Sequence, residues 1–202
     1  MIDLKVHKKA LEKRKSIFSY DMLGRSLSAN PFFPRDIREY LKRQNDELRF
    51  IVDDINKIDK DSFAFLVFDD DIQNLSQIRR YLKIPLIRED YFYDEYQILE
   101  ALVYGADCIM LKLDILDQKE LVKLTNFAYH LGLSVIANIE NKKDLTKAIF
   151  AKIDILSISS NNNNEIFKNL IPLIPNSKII LAKNSNDYEN LIKLGVDSFF
   201  KV

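Results

Sequence analysis

Short, unbroken apolar runs recur along this chain, and most are followed by a stretch with helical spacing. The runs are RFIVDDI (49–55), FAFLVF (63–68), IPLIR (84–88), CIMLKL (108–113), SVIANI (134–139), ILSIS (155–159), KIILAK (178–183) and SFFKV (198–202). Apolar positions three and four apart predict helices over 72–82, 94–104, 117–131, 142–150, 163–171 and 186–194. Strands that are continuously apolar, rather than alternating, suit a parallel sheet covered on its outer face by helices. YGAD (104–107) and LGVD (194–197) repeat one device, a glycine that ends a helix just before a strand.

Eight such strands with intervening helices predict a (β/α)8 TIM-type barrel. A flavodoxin-like open sheet is the alternative, and it leaves some strands unassigned. The barrel is expected to be eroded. Only NKIDKDS separates the first two strands, whereas a parallel crossover needs about a dozen residues or more; the first crossover helix is therefore expected to be missing. The last strand runs to Val202, so the last helix is expected to be missing as well. The whole of 1–202 reads as one barrel domain, with 1–47 as an N-terminal helical extension packing on it. Within the extension, 3–15 is a lysine-rich helix, SANPFFPRD breaks regular structure at Pro31 and Pro34, and Asp36 caps the helix IREYLKRQN.

Composition narrows the function classes. Lys plus Arg equals Asp plus Glu, at 30 each, so there is no electrostatic case for nucleic acid or an anionic membrane. No apolar run approaches the roughly 20 residues of a membrane span, and the N-terminus has no apolar leader core. The one cysteine, Cys108, lies in the apolar run CIML and reads as a buried filler. A cytoplasmic protein with no disulfide is expected.

One segment is specific enough to carry a resemblance. IPLIREDYFYDEYQILEALVYGAD (84–107) resembles the indole-3-glycerol phosphate synthase family, whose stretch reads I-P-V-L-R-K-D-F-I-I-D-x-Y-Q-I-x-E-A-x-x-x-G-A-D. The residues Ile84, Pro85, Arg88, Asp90, Asp94, Tyr96, Gln97, Ile98, Glu100, Ala101, Gly105, Ala106 and Asp107 match in register. LGLSVIANIENKKDL, LIKLGVDSFFKV and the opening KKALEKRK are more weakly similar. The resemblance implies a barrel enzyme that closes an indole ring with loss of carbon dioxide and water. It also implies a cationic acid to protonate the substrate carbonyl, carboxylates to relay protons, a phosphate cradle, and no cofactor.

The aligned positions depart from that set. The general-acid lysine of R-K-D-F is Glu89 here. In the first strand, the family's I-A-E-I-K and following S-P-S give Asp54 at the glutamate and Asn56 at the lysine, with no S-P-S. The glutamate of L-V-E-V-H falls at Asn138, and the asparagine of I-N-N-R falls near Ser159. The S-E-S-G-I motif becomes AKNSN, with Lys183 at the glutamate. A carboxylate is anionic at neutral pH and cannot act as an ammonium, and losing a general acid or base costs about 10²–10⁴ in rate. The expectation is therefore a non-catalytic relative that binds or assembles with a protein partner or a second copy. Retained or altered indole-3-glycerol phosphate synthase activity, that of a carbon–carbon lyase of tryptophan biosynthesis, is the alternative.

Other groups add less. Acids gather at the predicted strand ends, among them Asp53, Asp54, Asp69, Asp70, Asp71, Glu89 and Asp114. Asp54, Asp69 and Glu89 are the candidate metal ligands, against a default of solvated or capping acids. Asp90 reads as a cap or as a partner of Arg88. Lys112 and Lys183 read as rim cations that either bind an anion or pair with the acids. His130 sits at a helix end, and NNNNE (161–165) reads as a polar loop with an asparagine cap, with ligand contact as the alternative. The aromatic pairs Phe32/Phe33 and Tyr91/Phe92/Tyr93 either lie under the N-terminal helices or face a partner.

Overall fold

Eight strands follow one another in space as they do in sequence: β1 (Phe50–Val52), β2 (Ser62–Phe68), β3 (Leu86–Glu89), β4 (Cys108–Lys112), β5 (Ser134–Ile139), β6 (Ile155–Ser159), β7 (Ile179–Lys183) and β8 (Ser198–Lys201). Every neighbouring pair is parallel, and β8 returns to β1, so the sheet is a closed barrel. The structure is a computed structural model that describes residues 4–30, 32–45, 47–68, 72–159 and 165–201. Its helices are α1 (Leu4–Ile17), α2 (Tyr20–Ser26), α3 (Ile37–Leu41), α4 (Ile72–Tyr81), α5 (Glu95–Val103), α6 (Gln118–His130), α7 (Lys142–Phe150), α8 (Glu165–Leu170) and α9 (Tyr188–Leu194). The predicted barrel is present. The helix α2, for which the sequence pattern gave no signal, starts at Ser19, whose hydroxyl accepts from the Met22 amide at 3.3 Å.

Two-residue alternation sorts the strand side chains. Ile51, Leu66, Ile87, Met110, Ile136 and Leu181 belong to one buried cluster inside the barrel. Their outward neighbours, such as Val52, Val67, Leu111 and Ala182, pack with the helices in a second cluster. Cys108 is wholly buried in the inner cluster, and burial pushes its thiol well up.

The N-terminal end of the barrel is stoppered by α3, whose Ile37 and Leu41 share the inner cluster. Asp36 caps α3 by accepting from the Arg38 amide at 3.0 Å. The two repeated glycine–aspartate turns hold this stopper. Asp107 accepts from the amides of Leu86 (2.8 Å) and Arg35 (2.7 Å), and from Arg79 Nη1 at 2.6 Å. Asp197 accepts from the amides of Ile180 (2.9 Å) and Arg43 (3.3 Å). Each aspartate thus stitches a neighbouring strand to the segment entering or leaving α3. Before Asp107, Gly105 has φ +96°, and a Cβ there would lie 2.7 Å from Arg79 Cγ.

Farther along, α1 and α2 pack on α5. Leu11, Leu23, Tyr96 and Leu99 bury one another, the Tyr96 hydroxyl donates to the Phe18 carbonyl at 2.7 Å, and Arg14 meets Glu100 at 3.1 Å. Of the aromatic groups, Phe92 is core, Tyr93 packs beneath Lys8 of α1, Phe32 lies against Arg79, and Phe33 is exposed.

Between β1 and β2 the chain makes only residues 53–61, containing a single 3-10 turn over Ile55–Lys57. This crossover has no α-helix. It closes because β1 is three residues long, so the chain has only about 10 Å to return, and nine residues reach about 30 Å. A cavity of about 430 Å³, lined by Asp54, Ile55, Phe65, Val67, Asn74 and Ile78, lies beside this turn.

Candidate active site

The residues at the C-terminal ends of the strands follow from the same alternation. Continuing the inward phase by one step brings Phe68 of β2, Glu89 of β3, Lys112 of β4, Asn138 of β5, Ser159 of β6 and Lys183 of β7 to the barrel mouth. This is the end at which barrels of this class hold their chemistry.

Three of these side chains form one charged cluster. Lys183 Nζ donates to Glu89 Oε2 at 2.9 Å, and Lys112 Nζ stands 3.5 Å from Glu89 Oε1. Glu89 is 8% exposed, so the pairing is largely withdrawn from water. The Lys112 ammonium lies 4.0 Å from the centre of the Tyr91 ring, and Tyr91 in turn meets the His7 ring at 4.8 Å. Lys183 is flanked by the rings of Phe200 (5.4 Å) and Phe68 (6.0 Å). Burial pushes the Lys112 ammonium down, but contact with the Tyr91 phenol and the charge of Glu89 outweigh it, so its pKa lies above the usual 10.5. Next to this cluster, the Ser159 hydroxyl donates to Asn138 Oδ1 at 3.1 Å.

Arg88 and Asp90, on either side of Glu89, point the other way and build a frame. Arg88 Nη2 donates to Asp90 Oδ2 at 2.8 Å, and Arg88 Nη1 to Glu100 Oε2 at 3.1 Å. Gln97 Nε2 reaches Asp90 at 3.2 Å, and Asp94 caps α5 through the Tyr96 amide at 2.8 Å. Buried charges of this kind hold only when fully partnered. Here they fix the turn after β3, and with it the direction of Glu89 and Tyr91.

The structure does not bring every sequence-derived candidate to the mouth. Asp54 caps the 3-10 turn, accepting from the Asn56 amide at 2.9 Å and from Asn56 Nδ2 at 3.0 Å. Both residues belong to the crossover, while Asp53 is the β1-end residue in phase with Ile51 and pairs with Lys57 at 3.4 Å. Asp69, Asp70 and Asp71, like Asn161–Asn164 and Pro31, lie outside the described residues. Among the described residues no three His, Cys, Asp or Glu side chains are grouped to hold a metal, and no helix is long and apolar enough to cross a membrane. His130 is exposed at the end of α6, its Nδ1 2.7 Å from the Asn126 carbonyl.

The comparisons with known proteins decide the kinship. The sequence model of indole-3-glycerol phosphate synthase matches residues 65–199. An indole-3-glycerol phosphate synthase of Campylobacter jejuni is 42% identical over 228 aligned positions, covering 95% of this chain and 88% of the relative. The chain belongs to the indole-3-glycerol phosphate synthase family. Family members from Campylobacter hominis and Sulfurimonas denitrificans are 38% and 36% identical, covering 97% and 93% of this chain. Because 95% of 202 residues is about 192, about 36 of the 228 positions have no counterpart here. The short β1–β2 crossover, just ahead of the family match, fits such a deficit. In fold, the N-acetylmannosamine-6-phosphate 2-epimerase of Clostridium perfringens (TM-score 0.63, 12% identity, 82% of this chain and 89% of that one) is similar. So is the thiamine phosphate pyrophosphorylase of Pyrococcus furiosus (TM-score 0.57, 14% identity, 82% and 87%).

These relatives overturn the expectation of a non-catalytic binding or assembly protein. Proteins 36–42% identical over nearly the whole chain carry the enzyme's name, and that favours the catalytic alternative. Taken one position at a time, Glu89 is a lost ammonium and Lys183 a lost carboxylate, yet the two side chains touch at 2.9 Å. The pair still places one cation and one anion at the mouth, on exchanged strands. Alternation, counted from Ile87 and Leu181, is the sequence signal that would have put both in one place, and it also finds Lys112.

Proposed function

We propose that this chain is an indole-forming carbon–carbon lyase of the indole-3-glycerol phosphate synthase type, acting in tryptophan biosynthesis in the cytoplasm. The observation that carries the reading is the 2.9 Å contact between Lys183 and Glu89 at the barrel mouth. The reaction needs a cation that can give a proton to the substrate carbonyl and a carboxylate that can take one. Lys183 is the donor in this reading. Its ammonium donates to Glu89 at 2.9 Å, in a mouth where low dielectric strengthens electrostatic effects. Glu89 then accepts and returns protons as carbon dioxide and water leave. The Asn138–Ser159 pair offers neutral hydrogen-bonding groups on the neighbouring strands.

The test is turnover of the purified chain with the substrate of indole-3-glycerol phosphate synthase, following formation of the indole ring. Turnover within the ordinary enzymatic range of about 1–10³ s⁻¹ is expected. Glu89→Gln and Lys183→Met are each expected to lower kcat by about 10²–10⁴. Absence of product from the unaltered chain overturns the reading.

A further inference from the structure

We infer that Lys112 is the anion-receiving residue of this mouth, held in place by Tyr91. The inference rests on the indole-forming reading and adds to it a residue from β4 that none of the aligned motif positions includes. Its basis is a charge count. Two ammonium groups, Lys112 and Lys183, face one carboxylate, Glu89. Lys183 makes the close hydrogen bond at 2.9 Å, and that pair is self-compensated. Lys112 stands off at 3.5 Å, so among the described residues this cluster holds two ammonium groups against one carboxylate. The acid at the end of β1, Asp53, pairs with Lys57 at 3.4 Å.

Lys112 is also built into its position. It is the last residue of β4, in phase with buried Met110 and Cys108, and opposite Asn138 in the β4–β5 register. A lysine side chain is ordinarily flexible. Here its ammonium rests 4.0 Å from the Tyr91 ring centre, an arrangement that attracts a cation to the ring face. The backbone of Tyr91 is tied down in turn, its amide donating to Asp90, which is locked by Arg88. A partly exposed, pre-positioned cation at a barrel mouth suits an oxyanion. The substrate offers two of these, the carboxylate that departs as carbon dioxide and the phosphate that remains in indole-3-glycerol phosphate.

The experiment compares the unaltered chain with Lys112→Met and Lys112→Arg. Turnover gives KM and kcat separately, and a titration with indole-3-glycerol phosphate gives product affinity. For Lys112→Met a rise in KM of about ten- to a hundredfold is expected, as for loss of a hydrogen bond to a charged group. The accompanying fall in kcat should be less than about threefold, and Lys112→Arg should recover most of the affinity. If product affinity falls in parallel, the bound group is the phosphate; if only substrate affinity falls, it is the carboxylate. Unchanged KM and product affinity in Lys112→Met overturn the inference, and so does a fall in kcat alone. Titration with inorganic phosphate or product does not depend on turnover. A chain that forms no indole would defeat the activity reading, and titrating that chain with the unconverted substrate as well as with product still decides this assignment by binding. If Lys112→Met does not fold, Lys112→Gln takes its place with the same expectations.

Discussion

Lys183 on β7 donates to Glu89 on β3 at 2.9 Å, so a single ion pair spans the barrel mouth between strands four places apart in the sheet. Its two members are the positions at which the family resemblance shows the sharpest changes of charge. In the proposed function, the contact makes these two changes one exchange of charge rather than two losses.

That exchange predicts a reversal experiment. Glu89→Lys alone sets three ammonium groups together, and Lys183→Glu alone sets two carboxylates together. Each is expected to lower kcat/KM by at least about a hundredfold. The double variant restores opposite charges in contact, so its activity should exceed that of either single variant by more than the product of their separate effects allows. A double-mutant cycle on kcat/KM measures this coupling. A purely additive result would show that the two side chains act independently.

Asp107 offers a test of the frame rather than the chemistry. It is fully buried, and it satisfies two backbone amides and the Arg79 guanidinium. Asp107→Ala leaves a buried cation unpaired and two amides unbonded, an expected loss of about 3–5 kcal/mol. Urea unfolding followed by circular dichroism reads this directly. A change below about 1 kcal/mol would mean that Arg79 finds another partner.

The stopper at the other end of the barrel makes a separate prediction. Leu41 is completely buried among the inner strand residues, and its carbonyl accepts from Ser198 at 2.6 Å. Leu41→Ala is expected to cost about 2–5 kcal/mol through the cavity it opens. The mouth lies at the opposite end, so KM at a temperature well below the unfolding transition should stay within about twofold.

The pH dependence of the mouth follows from Lys112. Its pKa is raised above 10.5, with contact with the Tyr91 phenol and the charge of Glu89 outweighing burial. A raised pKa in the folded state means that the stabilising charge is fully present below the ordinary lysine range and is lost only as pH rises through the folded value. Product affinity should therefore hold from neutrality to about pH 10 and fall only above it. In Lys112→Met the fall attributable to this group should vanish. Product titrations across that range test both statements.

Much of the fold was legible because strand order, strand phase and helix spacing are local patterns. Strands β5 and β6 end where the apolar runs end, and the repeated glycine–aspartate turns mark equivalent corners. Asp36 caps its helix as its position suggested. The polar helix α2 has too little apolar periodicity to show itself. The site was less legible because its decisive contact joins residues 94 positions apart. A residue-by-residue alignment records charge at each position but not which charges meet. The β1 assignment has the same root: alternation from Ile51 favours Asp53 as the mouth residue, and Asp54 turns away to cap.

The abbreviated link between the first two strands also bears on how the chain folds. Phe50 pairs with Ser62 only twelve positions on, whereas Cys108 pairs with Ser134 and Phe50 with Phe199. Ordering a loop costs more as it lengthens, by about 0.6 kcal/mol per doubling. The earliest parallel ladder to become affordable is therefore the one between β1 and β2, and the last is the seam between β8 and β1. Lengthening the link with a flexible insert should slow refolding far more than it lowers equilibrium stability, which would mark this corner as the nucleus from which the ring assembles.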